Sequence, residues 1–301
     1  MSQIQHIEKV ALIGANGHVG KHFLEELLRT GVKSIIVNYD DENSLVSALK
    51  CQQFLIITLS VMTPPDTHGK IVKAAAKADV PYIMPNCHGL DFENEILHEE
   101  NAVGTDPVRH VAQVKSHGIS CIAIVCGFWY EWSLSLGEPF FGFDIKNKKV
   151  TFFDDGKTEV NISTWRQCGR ALAALLSLPE TGPSPALSDW KNNPVYIDSF
   201  RITQRDMLDS LNRVLGTTDA SWEIKYEASS ARYMDGIERM QKGDTVGFAK
   251  AMYSRNFYPN AASDFSAKGL ANDILALPED NLDEATKRAV EMVESGWNPF
   301  G

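Results

Sequence analysis

Seven residues constrain this chain more than any others. Gly14-Ala15-Asn16-Gly17-His18-Val19-Gly20 joins an apolar run, Lys9 to Gly14, to a segment, His18 to Arg29, whose Val19, Phe23, Leu24, Leu27 and Leu28 fall at helical spacing. Strand, glycine turn and helix in that order predict the opening of a dinucleotide-binding βαβ unit. The first glycine permits the sharp turn, the second lets backbone approach a pyrophosphate, and the third lets helix pack on strand. The helix start then offers free N–H groups and the positive end of its dipole to phosphate. Gly14, Asn16, Gly17, His18, Val19 and Gly20 are therefore candidate cofactor-binding residues.

The alternation continues. Strands are expected at Val32 to Val37, Phe54 to Leu59, Pro81 to Met84 and Ile119 to Val125. Helices are expected at Glu42 to Leu49, Asp66 to Ala78 and Thr105 to Ser116. Continuous apolar strands between helices imply a parallel sheet covered on both faces, the doubly wound α/β pattern. After about residue 150 the pattern changes. Phe140 to Phe153 reads as a hairpin around Asp144 to Lys149, and Ser163-Thr164 caps a helix running to Leu176. Pro179 to Pro194 is loop-like. A strand near Tyr196 to Ile202, a helix from Gln204 to Leu215, a strand at Trp222 to Tyr226 and mostly helical segments to Trp297 complete the chain. The expected division is a Rossmann domain over residues 1–150 and a smaller, mostly helical substrate lobe over 151–301, with the chain crossing back between them.

Composition narrows the function classes. The 301 residues carry a net charge of −10, which argues against nucleic-acid or anionic-membrane partners, because phosphate binding needs clustered Lys and Arg. Five scattered cysteines with no Cys-x-x-Cys fit a reducing compartment better than a disulfide framework or a zinc site, so no metal is expected. With no apolar signal core and no long apolar run, the expectation is a cytoplasmic protein with a small-molecule substrate, and a homo-oligomer is left open.

In a doubly wound fold the ligand lies at the carboxyl ends of the strands. That gives Leu59 and Ser60, then Asn86, Cys87 and His88, then Gly127 to Tyr130. His88 is the acid/base candidate because its ordinary pKa lies nearest neutrality. Asn86 would orient a substrate oxygen or contact cofactor, Tyr130 would donate a proton, and Phe128 and Trp129 would cover a ring. Cys87 lacks a partner base. Asp40 sits about where a ribose-binding carboxylate belongs, which favours NAD. The other reading is that Asp40 and Asp41 simply begin the next helix, where negative charge is favourable.

Gly14 to Gly20, Asn38-Tyr39-Asp40-Asp41 with Ser44-Leu45 and Ala48-Leu49, and Thr58-Leu59-Ser60 resemble the NmrA-like, isoflavone reductase-like branch of the atypical short-chain dehydrogenases. Pro85-Asn86-Cys87-His88-Gly89 and Cys126-Gly127-Phe128-Trp129-Tyr130 are similar to its fungal members. The resemblance implies a cofactor, NADP or NAD and usually NADPH, with substrate held between the Rossmann domain and the C-terminal lobe. Two departures stand out. Thr30-Gly31 runs directly into a segment resembling the family's third strand, so the second strand and its NADP-selecting arginine are missing. Either Val32 to Val37 takes that strand's place, or the sheet has a gap. The stretch matching the family's catalytic lysine, Gly104 to Arg109, also contains no lysine, and no Tyr-x-x-x-Lys occurs.

Two functions follow. One is an NAD(P)-dependent oxidoreductase acting on a small, aromatic or secondary-metabolite substrate. The other is a non-redox protein on the same fold, either a cofactor-sensing regulator or an isomerase, dehydratase or rearrangement enzyme using the same pocket.

Overall fold

The computed structural model describes residues 5–27, 36–60, 62–100, 106–260 and 262–299. The first half runs β1 (Val10–Ile13), α1 (His18–Leu27), α2 (Glu42–Leu49), β2 (Phe54–Ile57), α3 (Thr67–Lys77), β3 (Tyr82–Met84), α4 (Glu95–Glu100), α5 (Asp106–Ser116), β4 (Ser120–Cys121) and β5 (Ala123–Val125). Next come β6 (Phe128–Trp129), α6 (Tyr130–Ser135), β7 (Phe143–Asp144), β8 (Lys149–Phe153), β9 (Val160–Ser163), α7 (Trp165–Ser177), β10 (Pro194–Tyr196) and β11 (Phe200–Ile202). The chain ends with α8 (Gln204–Leu215), β12 (Glu223–Glu227), α9 (Ser229–Gln241), α10 (Val246–Asn256) and α11 (Leu282–Glu294).

Strands β1, β2, β3 and β4 pair side by side, all parallel, and β5 continues β4 to pair in parallel with β10. The period of two along each strand sorts the core. Leu55, Ile57 and Ile83 face one layer with Leu45, Ile71 and Val111, from α2, α3 and α5. Phe54, Ile56 and Met84 face the other with Val19, Phe23, Leu172 and Leu175, from α1 and α7. Both faces are covered, which is why β2 is apolar at every position, and each such side chain contributes roughly 1.5–3 kcal/mol by leaving water.

The expected strand at Val32 to Val37 falls largely outside the described residues. Ile36 and Val37 are described and form no strand, and Ile36 is almost fully exposed. Among the described residues β1 pairs with β2 alone.

The second half does not stay apart from the first. Helix α7 packs on α1, and β10 extends the main sheet, so residues beyond 150 complete the first layer. The remainder forms a lobe in which β11, β9 and β6 make one small sheet and β12, β8 and β7 another. Its core is aromatic: Phe128, Phe141, Phe143, Phe152, Phe153, Tyr253 and Phe257 interlock with α8 and α11. The hairpin expected at Phe140 to Phe153 is β7–β8. The single strand expected near Tyr196 to Ile202 is instead two, because Ile197–Ser199 leaves the main sheet before β11 joins the small one. The segment Tyr130–Ser135, for which no element was expected, is the short helix α6.

Candidate functional site

The glycine turn takes the form its spacing predicts. Gly14 has φ +81°, and a Cβ there would sit 2.0 Å from the Thr58 carbonyl oxygen. A Cβ on Gly20 would sit 2.2 Å from the Gly14 oxygen. Both positions therefore exclude any side chain, while Thr58 Oγ1 donates to the Ile13 carbonyl at 2.8 Å and ties β2 to the turn. Asn16 and Gly17 stand exposed at the tip, and α1 begins at His18 with Val19 buried beneath it. Open backbone at the start of a ten-residue helix, without side chains in the way, fits a pyrophosphate.

Asn86 clamps the neighbouring loop. Its Oδ1 accepts from Leu59 N at 2.8 Å and its Nδ2 donates to Leu59 O at 3.2 Å, so the end of β2 is held by the loop after β3. Ser60 is exposed beside it and its hydroxyl accepts from Met62 N at 3.2 Å. Beneath Asn86 lie two histidines that the sequence did not single out. His68 and His110 stack with centroids 3.9 Å apart, His68 Nε2 accepting from Asn86 N at 3.4 Å and His110 Nδ1 donating to Asn86 O at 3.0 Å. Burial, then the neighbouring His110, holds His68 down to about 3, and burial lowers His110 too. Their sequence signal was weak, because one lies on α3 and the other on α5.

His88 lies at the same strand ends, edge-on to Phe23 of α1 at 5.2 Å. Its Nε2 is 2.7 Å from the Ile57 carbonyl, which can only accept, so Nε2 carries the proton and Nδ1 is a bare lone pair. That Nδ1 is buried with no partner, and burial lowers the ring to about 4. Burial also pushes the Cys87 thiol well up, away from nucleophilic character.

The other candidates lie elsewhere. Tyr130 is fully buried in the second lobe, its hydroxyl 2.7 Å from Thr286 Oγ1, and burial pushes the phenol up. Asp40 is exposed and its carboxylate is paired at 2.7 Å with Lys70 on α3, while Asp41 caps α2 through its side chain. The structure thus brings the glycine turn, Leu59, Asn86 and His88 together, and it does not bring Tyr130 to them. A lysine–tyrosine contact does exist at the end of β10, where Lys268 Nζ lies 3.2 Å from the Tyr196 hydroxyl. Burial, then Asp91 and Glu93, pushes that phenol up rather than activating it.

Of the two rings expected to form a cover, Phe128 is stacked on Tyr253 at 4.0 Å in the second lobe, and a different set of rings gathers around His18. Trp132 lies 4.8 Å from its ring, Trp297 5.7 Å and Trp165 6.3 Å, and Trp129 meets Trp132 edge-on. Trp165 and Trp297 come from α7 and the C-terminal tail, too distant in sequence to be linked to the turn by spacing. Among the described residues no group of three or more His, Cys, Asp or Glu is placed to hold a metal ion, and no helix is long and apolar enough to cross a membrane.

No protein-family model matches the chain. The oxidoreductase aprR of Aspergillus flavus is 25% identical over 301 residues, 92% of this chain and 96% of that protein. Among solved structures, isoflavone reductase superposes with a TM-score of 0.73 at 16% identity, covering 93% of this chain and 98% of its own. AtPrR2, solved with NADP+ and (+)pinoresinol, superposes with a TM-score of 0.71 at 15% identity, covering 94% of this chain and 99% of its own. Parallel sheet, glycine turn and returning second lobe together make this an isoflavone reductase-like fold, built on a Rossmann-type sheet.

Proposed function

We propose that this chain is an NAD(P)H-dependent reductase of a small aromatic molecule, working in the cytoplasm. The observation that carries the reading is the cradle at Gly14 to Gly20, in which Gly14 and Gly20 are packed too tightly for any side chain while Gly17 is exposed to solvent just before α1, a Cβ there lying 3.1 Å from the Gly14 oxygen. The solved neighbour with NADP+ bound and the A. flavus oxidoreductase support it.

A bound nicotinamide cofactor would supply the hydride. The chain's own contribution is placement: backbone N–H groups at the start of α1, from His18 onward, would hold the pyrophosphate, and Asn86 fixes the Leu59–Ser60 loop beside it. His88 is neutral at pH 7, so its Nδ1 accepts a hydrogen bond or a proton and does not donate one. The proton that completes a reduction then comes from solvent, since the Tyr130 hydroxyl is buried in the other lobe.

One observation favours a second reading, a non-redox protein that senses the cofactor. Asn86, His88 and Tyr130 each spend a polar group on an internal partner. Calorimetric titration with NADPH and with NADH, followed by a Gly17→Asp variant, tests the proposal. The expected result is binding of at least one dinucleotide, lost at least a hundredfold in the variant, whose carboxylate meets the phosphates with like charge. Absence of binding by both would overturn it. Binding without NADPH oxidation across a panel of aromatic ketones and quinones would favour the sensor.

A further inference from the structure

A cavity of about 500 Å³ opens along the flank of α1, between it, α7 and α11. It is lined by Lys21, Glu131, Trp165, Arg288, Met292 and Trp297, among others, and not by Gly14 to Gly20. Its size is that of a small-molecule site. Two of its walls are aromatic: Trp165, braced by His22 at 5.3 Å and 20°, and Trp297, set at 76° to it with centroids 6.3 Å apart. These rings and Met292 form an apolar corner that would receive a flat ring edge-on or face-on.

The floor is polar and built. Glu131 is only 3% exposed and accepts from Arg288 Nε at 3.0 Å and Nη2 at 2.9 Å, so its charge is neutralised. Both bonds use one side of the guanidinium, and Nη1 is left to donate to an incoming oxygen. The Trp165 indole N–H is buried with no hydrogen-bond partner. Nothing in this lining depends on the cofactor reading.

We infer that this cavity is a binding site for a planar aromatic molecule bearing an oxygen, held in the Trp165–Trp297 corner with the oxygen on Arg288. Its lining begins at Lys21, three residues into α1 from His18, and includes none of Gly14 to Gly20, while its Trp165 and Trp297 walls also stand beside the His18 ring.

The test is titration of the full chain with 2-naphthol, read by heat and by tryptophan emission, with and without saturating NADPH. Saturable one-site binding is expected. It should weaken at least tenfold in Trp297→Ala and in Arg288→Lys, the latter keeping a cation beside Glu131, and stay within twofold when NADPH is added. Non-saturable binding, wild-type affinity in either variant that folds, or displacement of 2-naphthol by NADPH would overturn the inference. If the chain binds no dinucleotide, the cofactor-free titrations decide it alone.

Discussion

His68 stacks on His110 under the Asn86 clamp and is nearly sealed from solvent, so charging it works against the fold. Its folded pKa, about 3, lies below the ordinary 6.5. The unfolded chain therefore binds the extra proton first, and the stability present above pH 6.5 is lost as pH falls towards 3. His88, held to about 4, adds to the same loss, and Arg109 beside the pair raises the cost of a further positive charge. For His68 alone the loss between pH 7 and pH 4.5 is roughly 3 kcal/mol. Urea unfolding across that range should show a falling midpoint, and His68→Gln should flatten the fall; an unchanged slope in the variant would remove His68 as its source. Tyr130 gives a complementary expectation. Its hydroxyl belongs to a buried chain with Thr286 and Ser210, so Tyr130→Phe should cost about 1 kcal/mol of stability and leave dinucleotide affinity unchanged. A loss of affinity would return Tyr130 to the site. Position at the ends of expected strands, together with residue type, marked His88, Asn86 and Tyr130 as candidates, but what each polar atom bonds to depends on strands and helices far away in the chain.

The helices carry their own signatures. Thr164 at the start of α7 and Thr203 at the start of α8 accept from backbone N–H groups three residues on, and the first of these starts was legible as Ser163-Thr164 before an apolar-periodic run. The contact between α1 and α7 was not legible. Gly169 allows it: a Cβ there would lie 2.6 Å from the His22 carbonyl oxygen. Gly169→Val should push the helices apart and destabilise the fold by about 2 kcal/mol or more, measured by chemical unfolding. Because α7 also carries Trp165, the same variant should weaken 2-naphthol binding. Wild-type stability in Gly169→Val would show that the two helices have room to part. Short elements were the ones missed: α4 and α6 are too brief to show a helical period, and β10 and β11 run together in sequence because no turn residue separates them clearly.

At the scale of the whole molecule, three aromatic and aliphatic cores share one chain path. Two flank the sheet and the third fills the second lobe, and residues 165–197 return from that lobe to complete the first layer. Ligand binding to the native form alone should therefore stabilise the molecule. At a hundred times its dissociation constant, NADPH should raise the unfolding temperature by about 4 °C, from about 2.7 kcal/mol spread over the unfolding entropy of a chain this size. A thermal shift of zero under those conditions would contradict a native-state cradle at Gly14 to Gly20. The sequence by itself determined the strand–turn–helix opening, the doubly wound alternation and the candidate loops at the strand ends, because all of these follow from local periodicity and from glycine's freedom to turn. Only the tertiary structure decided that Asn86 spends its amide on Leu59, that His88 is locked as one neutral tautomer, that Asp40 is paired with Lys70, and that tryptophans from α7 and the C-terminal tail meet around His18. Those outcomes are set by which backbone carbonyl, charge or ring lies within a few ångströms once the layers close, and spacing along the chain carries no record of that distance.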